Sequence, residues 1–277
     1  MPATDGTGNA ETFKSLERAG WGDKAASYGL LTGRITARLV DRLLDAAGVA
    51  AGSRVLDVGT GPGYAARRAA EREAVVTGVD LADEMVALAS RGAGGARFLR
   101  ADAEALPFPD GSFDAVVGNL VINHLPQPEL AVREFARVLA PGGALSLSTW
   151  DGPARNRVLG ILLDAARDQG IDDLRDPGHP DPFRFAAEAE LRGLLRGAGF
   201  EEVAVDSVSL TQRVGDADEL WEGLMGGSVR TAGFVERQPP EGRDRIRSAV
   251  VRMAEEYRTD DGLSIPACAK IARGRQP

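Results

Sequence analysis

The chain has 277 residues, 43% of them hydrophobic and 27% charged, with a formal net charge of −8. That suits one large α/β domain or a core with a small cap, and the acidic surface argues against nucleic-acid or anionic-membrane partners. A single cysteine, Cys268, excludes an intrachain disulfide; two histidines, His124 and His179, are too few for a Cys/His zinc site, so no metal is expected.

The polar opening MPATDGTGNA lacks the charged start and apolar middle of a signal peptide, and no apolar run reaches the ~18 residues of a membrane span. A cytoplasmic protein is expected. Residues 1–11 read as disordered. From Ile35 the apolar positions Leu39, Val40, Leu43 and Leu44 recur at helical spacing, predicting a helix to about Gly48. A strand over 54–58 runs into glycines, followed by a helix over 64–73 and a buried strand over 74–79 that ends at Asp80. A helix over 84–91, strands over 97–100 and 113–117, and a helix over 130–139 follow. Pro141-Gly142-Gly143 reads as a turn before a fifth strand over 144–149. Strands alternating with helices predict a mostly parallel, doubly wound α/β sheet.

After Trp150 the rhythm changes. A proline-rich loop over 176–182 holds His179, read as solvated, and a helix over 187–196 closes at Gly197. A strand over 202–210, helices over 217–225 and 241–257, and an edge strand over 264–273 complete the pattern; Pro266 is tolerated only near an edge, and Cys268 reads as core. The helices before the first strand and after Val214 are expected to form a lid over the sheet's C-terminal edge. This divides the chain into a disordered 1–11, lid helices over 12–48, a core over 49–150, and the end of the sheet with further lid helices over 151–277.

Chemistry concentrates in Val55-Leu-Asp57-Val-Gly59-Thr60-Gly61-Pro-Gly63. Glycines after a first strand let the backbone turn sharply and approach a ligand. A dinucleotide fingerprint beginning at Gly59 needs its third glycine at position 64, which is Tyr64 here. The acidic Asp57, two residues before Gly59, suits a cationic ligand better than a pyrophosphate.

This stretch resembles motif I of class I S-adenosylmethionine-dependent methyltransferases. Asp80, 21 residues after Gly59, matches the family's acidic residue for the ribose hydroxyls. The runs Ala101-Asp-Ala-Glu-Ala-Leu-Pro-Phe108, Asp110-Gly-Ser-Phe-Asp114 and Arg133-Glu-Phe-Ala-Arg-Val-Leu-Ala-Pro-Gly-Gly143 are similar to methyltransferases of ubiquinone and menaquinone biosynthesis. The likeness covers roughly residues 50–150 and implies a seven-stranded Rossmann-like sheet.

It further implies S-adenosylmethionine as cofactor, with Asp57 near the methionine ammonium, directly or through water, and Gly59, Thr60, Gly61 and Gly63 shaping the turn beneath it. Asp80 would hold the ribose, Leu81 and Met85 the adenine face, and Asp102 with Ala103 the adenine edge; Asp102 and Glu104 also suit simple loop capping. Asn119 would sit near the donor methyl and Tyr28 would close over the methionine end.

His124 is the candidate general base, although segments like Asn-His-Leu-Pro also serve structure. Trp221 and Met225 are candidate acceptor contacts in the lid, with core packing as their alternative. The expected reaction is methyl transfer to O, N or C of a small molecule, a natural product or quinone-like aromatic. Gly118-Asn-Leu-Val121 lacks the polar-Pro-Pro-aromatic motif of amino-methylating nucleic-acid enzymes. A scaffold or cyclase that has lost methyl transfer is the competing reading; the sequence does not indicate an oligomeric state.

Overall fold

The computed structural model describes residues 6–92, 94–171 and 180–277. The sheet consists of β1 (Arg54–Val58), β2 (Val75–Asp80), β3 (Arg97–Arg100), β4 (Phe113–Asn119), β5 (Leu139–Trp150), β6 (Glu201–Val214), β7 (Arg258–Thr259) and β8 (Gly262–Arg275). Its order is β3-β2-β1-β4-β5-β8-β6, and the two-residue β7 pairs with β8. Neighbours among β1 to β5 are parallel, whereas β8 runs antiparallel to both β5 and β6. The expected mostly parallel, doubly wound sheet is therefore present, with seven strands on its main path.

The helices are α1 (Gly6–Lys24), α2 (Thr32–Ala37), α3 (Val40–Ala46), α4 (Tyr64–Glu71), α5 (Asp83–Ser90), α6 (Pro128–Val138), α7 (Arg157–Asp168), α8 (Glu188–Gly197), α9 (Ala217–Gly227), α10 (Val229–Glu236) and α11 (Pro240–Ala254). Successive strand residues point to opposite faces, so β1 feeds two cores. Val55 packs in the core that takes Leu43, Leu44, Ala66 and Ala69, while Leu56 joins Val132, Phe135 and Leu191 on the other face. Each of these Val, Leu and Phe side chains contributes roughly 1.5–3 kcal/mol on burial. β1 is flanked by β2 and β4, so the strand order reverses beside it; in open α/β sheets ligands bind at the strands' carboxyl ends near this point.

Four sequence expectations change. Residues 6–11, expected to be disordered, begin α1. The helix expected from Ile35 to Gly48 breaks into α2 and α3, because the Thr36 carbonyl is shared between Leu39 N at 3.1 Å and Asn119 Nδ2 at 3.0 Å. Pro141-Gly142-Gly143 lies inside β5 as a bulge: the pairs Phe113–Leu139 and Ala115–Ala144 bracket it.

β8 is not an edge strand, since it lies between β5 and β6. Pro266 escapes penalty because β5 pairs only from Ala269 onward, leaving the Pro266 segment bonded to β6. Two helices, α7 and α10, were not anticipated, although Val158, Ile161, Leu162, Ala165 and Ala166 are helically spaced and buried. His179 lies outside the described residues.

Candidate active site

The carboxyl ends of β1 to β5 form the floor of a cavity, and α1 with the start of α10 forms its roof. Gly59, Gly61 and Gly63 all have positive φ (62°, 52° and 83°), which only glycine adopts without strain. A Cβ on Gly59 would collide with the Val121 side chain, whereas one on Gly61, which lines the cavity, would meet nothing within 4 Å.

Asp57 does not line that cavity. It is 1% exposed, and its Oδ2 accepts from Thr60 Oγ1 at 2.6 Å and from Ala66 N at 3.0 Å. Burial pushes its carboxyl up to about 7 against those two hydrogen bonds. Asp57, Thr60 and Gly63 therefore set the loop's shape from behind and make no wall of the cavity; of the two expected routes from Asp57 to the methionine ammonium, direct or through water, its position behind the loop leaves the one through water.

Asp80 closes β2 and faces the cavity. Its Oδ2 accepts from Gly61 N at 2.8 Å and its Oδ1 from Ala82 N at 3.0 Å, while burial raises its carboxyl above the usual range. Leu81, Met85, Asp102 and Ala103 continue this wall, and Gly59, Gly61, Asn119 and Tyr28 also line the cavity. Asn119 is fixed by two bonds, donating to Thr36 O and accepting from Ser148 Oγ at 2.7 Å. The next residue, Leu120, has φ +64°, an unfavourable conformation for leucine, held by a 2.9 Å bond from its N–H to Ser148 Oγ. Tyr28 donates to Thr36 Oγ1 at 3.4 Å.

Sequence reasoning missed most of the roof. Lys14, Glu17, Arg18 and Trp21 fall on one face of α1 and line the cavity. Their spacing of three, four and seven residues was the available signal. Lys14 Nζ lies 2.7 Å from both Asp102 Oδ2 and Glu104 Oε2, while Asp102 Oδ1 accepts from Glu104 N at 2.8 Å. Asp102 thus caps its loop as well as facing the cavity.

His124 ends a 3-10 turn (Ile122–His124) and lines the far end of the cavity with Asn123, Trp150, Leu159 and Arg230. Its Nδ1 is 2.8 Å from Glu17 Oε2, and its ring meets Trp21 edge-on at 5.1 Å. Arg230 Nη2 donates to Asn123 O at 3.0 Å, and Arg184 Nη2 donates to the carbonyls of Ile122 and Leu125, so two guanidinium groups hold this turn. Burial lowers the imidazole's proton affinity, assisted by Arg230 and Arg184 and opposed by Glu17. For Glu17 burial acts upward, but His124, Arg230 and Trp21 outweigh it and hold the carboxyl below its usual range.

Trp221 and Met225 do not reach the cavity. They are partly buried against the core that underlies α9. α9 turns its glycines to the N-terminal segment instead: a Cβ on Gly223 would collide with Leu31, and one on Gly226 would lie 2.9 Å from Ser27 Cβ. Small residues admit that close approach, leaving Trp221 and Met225 on the helix flank.

Comparison with known proteins places this geometry. Residues 56–147 match a methyltransferase domain family. The chain is 32% identical to a ubiquinone/menaquinone biosynthesis C-methyltransferase of Azotobacter vinelandii, over 72% of this chain and 85% of that protein. It is 33% identical to a 27-O-demethylrifamycin SV methyltransferase of Amycolatopsis mediterranei, over 76% of each. Among solved structures it resembles the [4+2]-cyclase SpnF, with 25% identity, 87% of this chain and 81% of that one covered, and a TM-score of 0.53. The chain is an enzyme that belongs to the class I S-adenosylmethionine-dependent methyltransferases.

Proposed function

We propose that this enzyme binds S-adenosylmethionine along the floor of the cavity and transfers its methyl group to a small molecule held beneath the roof. The observation that carries the reading is the half-buried Asp80 carboxylate lining the cavity and bonded to the N–H of Gly61, which lines the same cavity. These residues fit the cofactor: Asp80 for the ribose hydroxyls, Leu81 and Met85 for the adenine face, Asp102 and Ala103 for its edge, and Gly59, Asn119 and Tyr28 for the methionine end. When bound, the sulfonium supplies a methyl group on a good leaving group, so the protein's part is to align the acceptor and exclude water.

Beyond Asn119 the lining turns to Trp150, Leu159 and Pro182, with His124, Asn123 and Arg230 as polar points. A flat, mostly apolar acceptor with a few oxygens suits this lining, such as a quinone-like aromatic or related natural product. The relatives named above act on carbon and on oxygen. His124 is the candidate base for an acceptor that must lose a proton.

Titration calorimetry with S-adenosylmethionine, its demethylated product and NAD tests the cofactor. Binding of the first two alone is expected, and Asp80→Ala weakens both by about 2–4 kcal/mol, because the ribose hydroxyls lose a charged acceptor. NAD binding with no response to the methyl donor overturns the reading. The likeness to a cyclase favours a second reading, in which the cofactor is bound and never consumed. Labelled methyl appearing in an acceptor excludes it.

A further inference from the structure

The acceptor end of the cavity carries more chemistry than methyl transfer to an amine or a sulfide requires. A neutral amine or sulfide attacks through an existing lone pair and needs no base. A hydroxyl must lose its proton as the new bond forms, and a positioned base assists that step. Here the candidate base is not a lone imidazole. It is paired across the cavity roof with a carboxylate from an element 107 residues away in sequence.

Glu17 Oε2 lies 2.8 Å from His124 Nδ1 and accepts a second bond from Trp21 Nε1 at 2.9 Å; Glu17 Oε1 lies 3.5 Å from Arg230 Nε. With a ring N–H donor on one oxygen and a guanidinium beside the other, Glu17 is an ionised acceptor. His124 Nδ1 has two neighbours, Glu17 Oε2 at 2.8 Å and Arg230 Nη2 at 3.5 Å; the far shorter contact is to the ionised carboxylate, so the proton between Glu17 and His124 belongs to Nδ1 and Nε2 carries the free lone pair. The backbone under the ring is also fixed, through Arg230 on the Asn123 carbonyl and Arg184 on those of Ile122 and Leu125.

Building on the proposed methyl transfer, we infer that Glu17 is the positioning residue for His124 and that the acceptor atom is a hydroxyl oxygen of an alcohol, phenol or enol. The hydroxyl proton passes to His124 Nε2 while an oxygen lone pair forms the new C–O bond. The S–CH3 bond breaks with its electron pair remaining on sulfur. The resulting imidazolium is stabilised by Glu17 and later yields its proton to solvent. Asn123 Nδ2 is buried, lines the same end of the cavity and has no hydrogen-bond partner among the described residues, so it is available to the developing oxyanion.

Transfer to carbon releases its proton from carbon after the bond forms, so it calls for a base beside that carbon and not beside a hydroxyl. The other carboxylates on the cavity wall are engaged: Asp102 with Lys14, Asp80 with Gly61 and Ala82.

The dyad is tested without any acceptor. The chain has two histidines, so in the full-length His179→Gln protein, nitrogen-15 labelled, the imidazole spectrum belongs to His124 alone. The expected spectrum is the Nδ1–H tautomer at neutral pH. Glu17→Gln is expected to move the titration midpoint downward by about one pH unit, because the imidazolium loses its anion. An Nε2–H tautomer in the parent, or an unmoved midpoint in Glu17→Gln, overturns the dyad.

The acceptor class is tested with carbon-13 methyl-labelled S-adenosylmethionine and a metabolite extract of the producing cells. A product whose methyl resonates as O–CH3 is expected, formed at least tenfold more slowly by Glu17→Gln at unchanged cofactor affinity and largely restored in Glu17→Asp. A methyl on nitrogen or carbon overturns the hydroxyl assignment. Unimpaired transfer by His124→Gln refutes the base itself, and no labelled product at all refutes methyl transfer; the tautomer result judges the dyad independently of both.

Discussion

The floor and roof of the cavity differ in how far their contacts reach along the chain. On the floor, Asp57 bonds Thr60 three residues away and Asp80 bonds Gly61 nineteen residues away. In the roof, Lys14 reaches Asp102 across 88 residues, and both Glu17–His124 and Arg230–Asn123 span 107. The floor is a local solution: glycines at set spacing make the turn, and a strand-end carboxylate ties it down. The roof is a tertiary solution whose parts have no meaning until α1 and α10 lie across the strand ends.

The sharpest way to break the floor is Gly59→Val. Its φ of +62° opposes any β-branched residue, and the new Cβ meets the Val121 side chain. A combined cost near 3 kcal/mol corresponds to at least about a 100-fold loss of S-adenosylmethionine affinity. Calorimetry measures it, and circular dichroism should report an otherwise intact fold. Retention of near-normal affinity would mean that the loop's shape is not set by this glycine.

Asp57 offers a second test of the floor, through pH. Its folded value of about 7 lies above that of an exposed carboxyl, near 3.9. Folding then takes up a proton between roughly pH 4 and 7, so this group's contribution to stability is full below pH 4 and declines as pH rises, by up to about 1.4 kcal/mol per unit. Asp57→Asn keeps an oxygen for Thr60 and Ala66 and cannot ionise. Urea denaturation should therefore show the wild type losing stability relative to the variant across this range, with no further divergence above it. Parallel curves would show that Asp57 is ionised throughout and that its environment is more polar than its burial implies.

Legibility follows the same division. The strands β1 and β3 fall where alternation and glycine punctuation put them, because a short apolar run bounded by turn residues has few other uses. Ten proposed site residues, from Tyr28 to His124, line one cavity; all but Tyr28 lie at a strand end or follow one closely along the chain, which is why their positions were legible. Lys14 and Glu17 were invisible because a charged residue on an amphipathic helix reads as solvated until its partner is known. Trp221 and Met225 misled for the opposite reason: large apolar side chains suggest a binding face, while Gly223 and Gly226 made the contact.

The roof is tested more gently by Lys14→Met. The variant keeps the apolar stem over the cavity and removes the cation bridging Asp102 and Glu104. Asp102 is partly exposed, but the Glu104 carboxylate is buried and its Oε2 has no hydrogen-bond partner among the described residues to replace the cation, so the variant loosens α1 and also loses measurable stability, seen as a lowered Tm. Stopped-flow binding should show both association and release of S-adenosylmethionine accelerated by about three- to tenfold, with the Kd nearly constant. A large fall in affinity with unchanged release would instead make Lys14 a direct cofactor contact.

The smallest effect on the site is expected from Trp221→Ala. Trp221 is partly buried on the flank of α9, away from the cavity, and packs against the core beneath that helix. Truncating a half-buried tryptophan removes part of the 3–5 kcal/mol typical of full burial, so a loss of about 2 kcal/mol is expected, seen as a Tm lowered by several degrees. Cofactor affinity and acceptor KM should stay within about twofold, since Gly227, Ser228, Arg230 and Thr231, the residues of this region that line the cavity, follow α9's contact with Ser27 and Leu31 through its glycines. A raised KM at unchanged Tm would put Trp221 back among the acceptor contacts and show that the roof extends along α9.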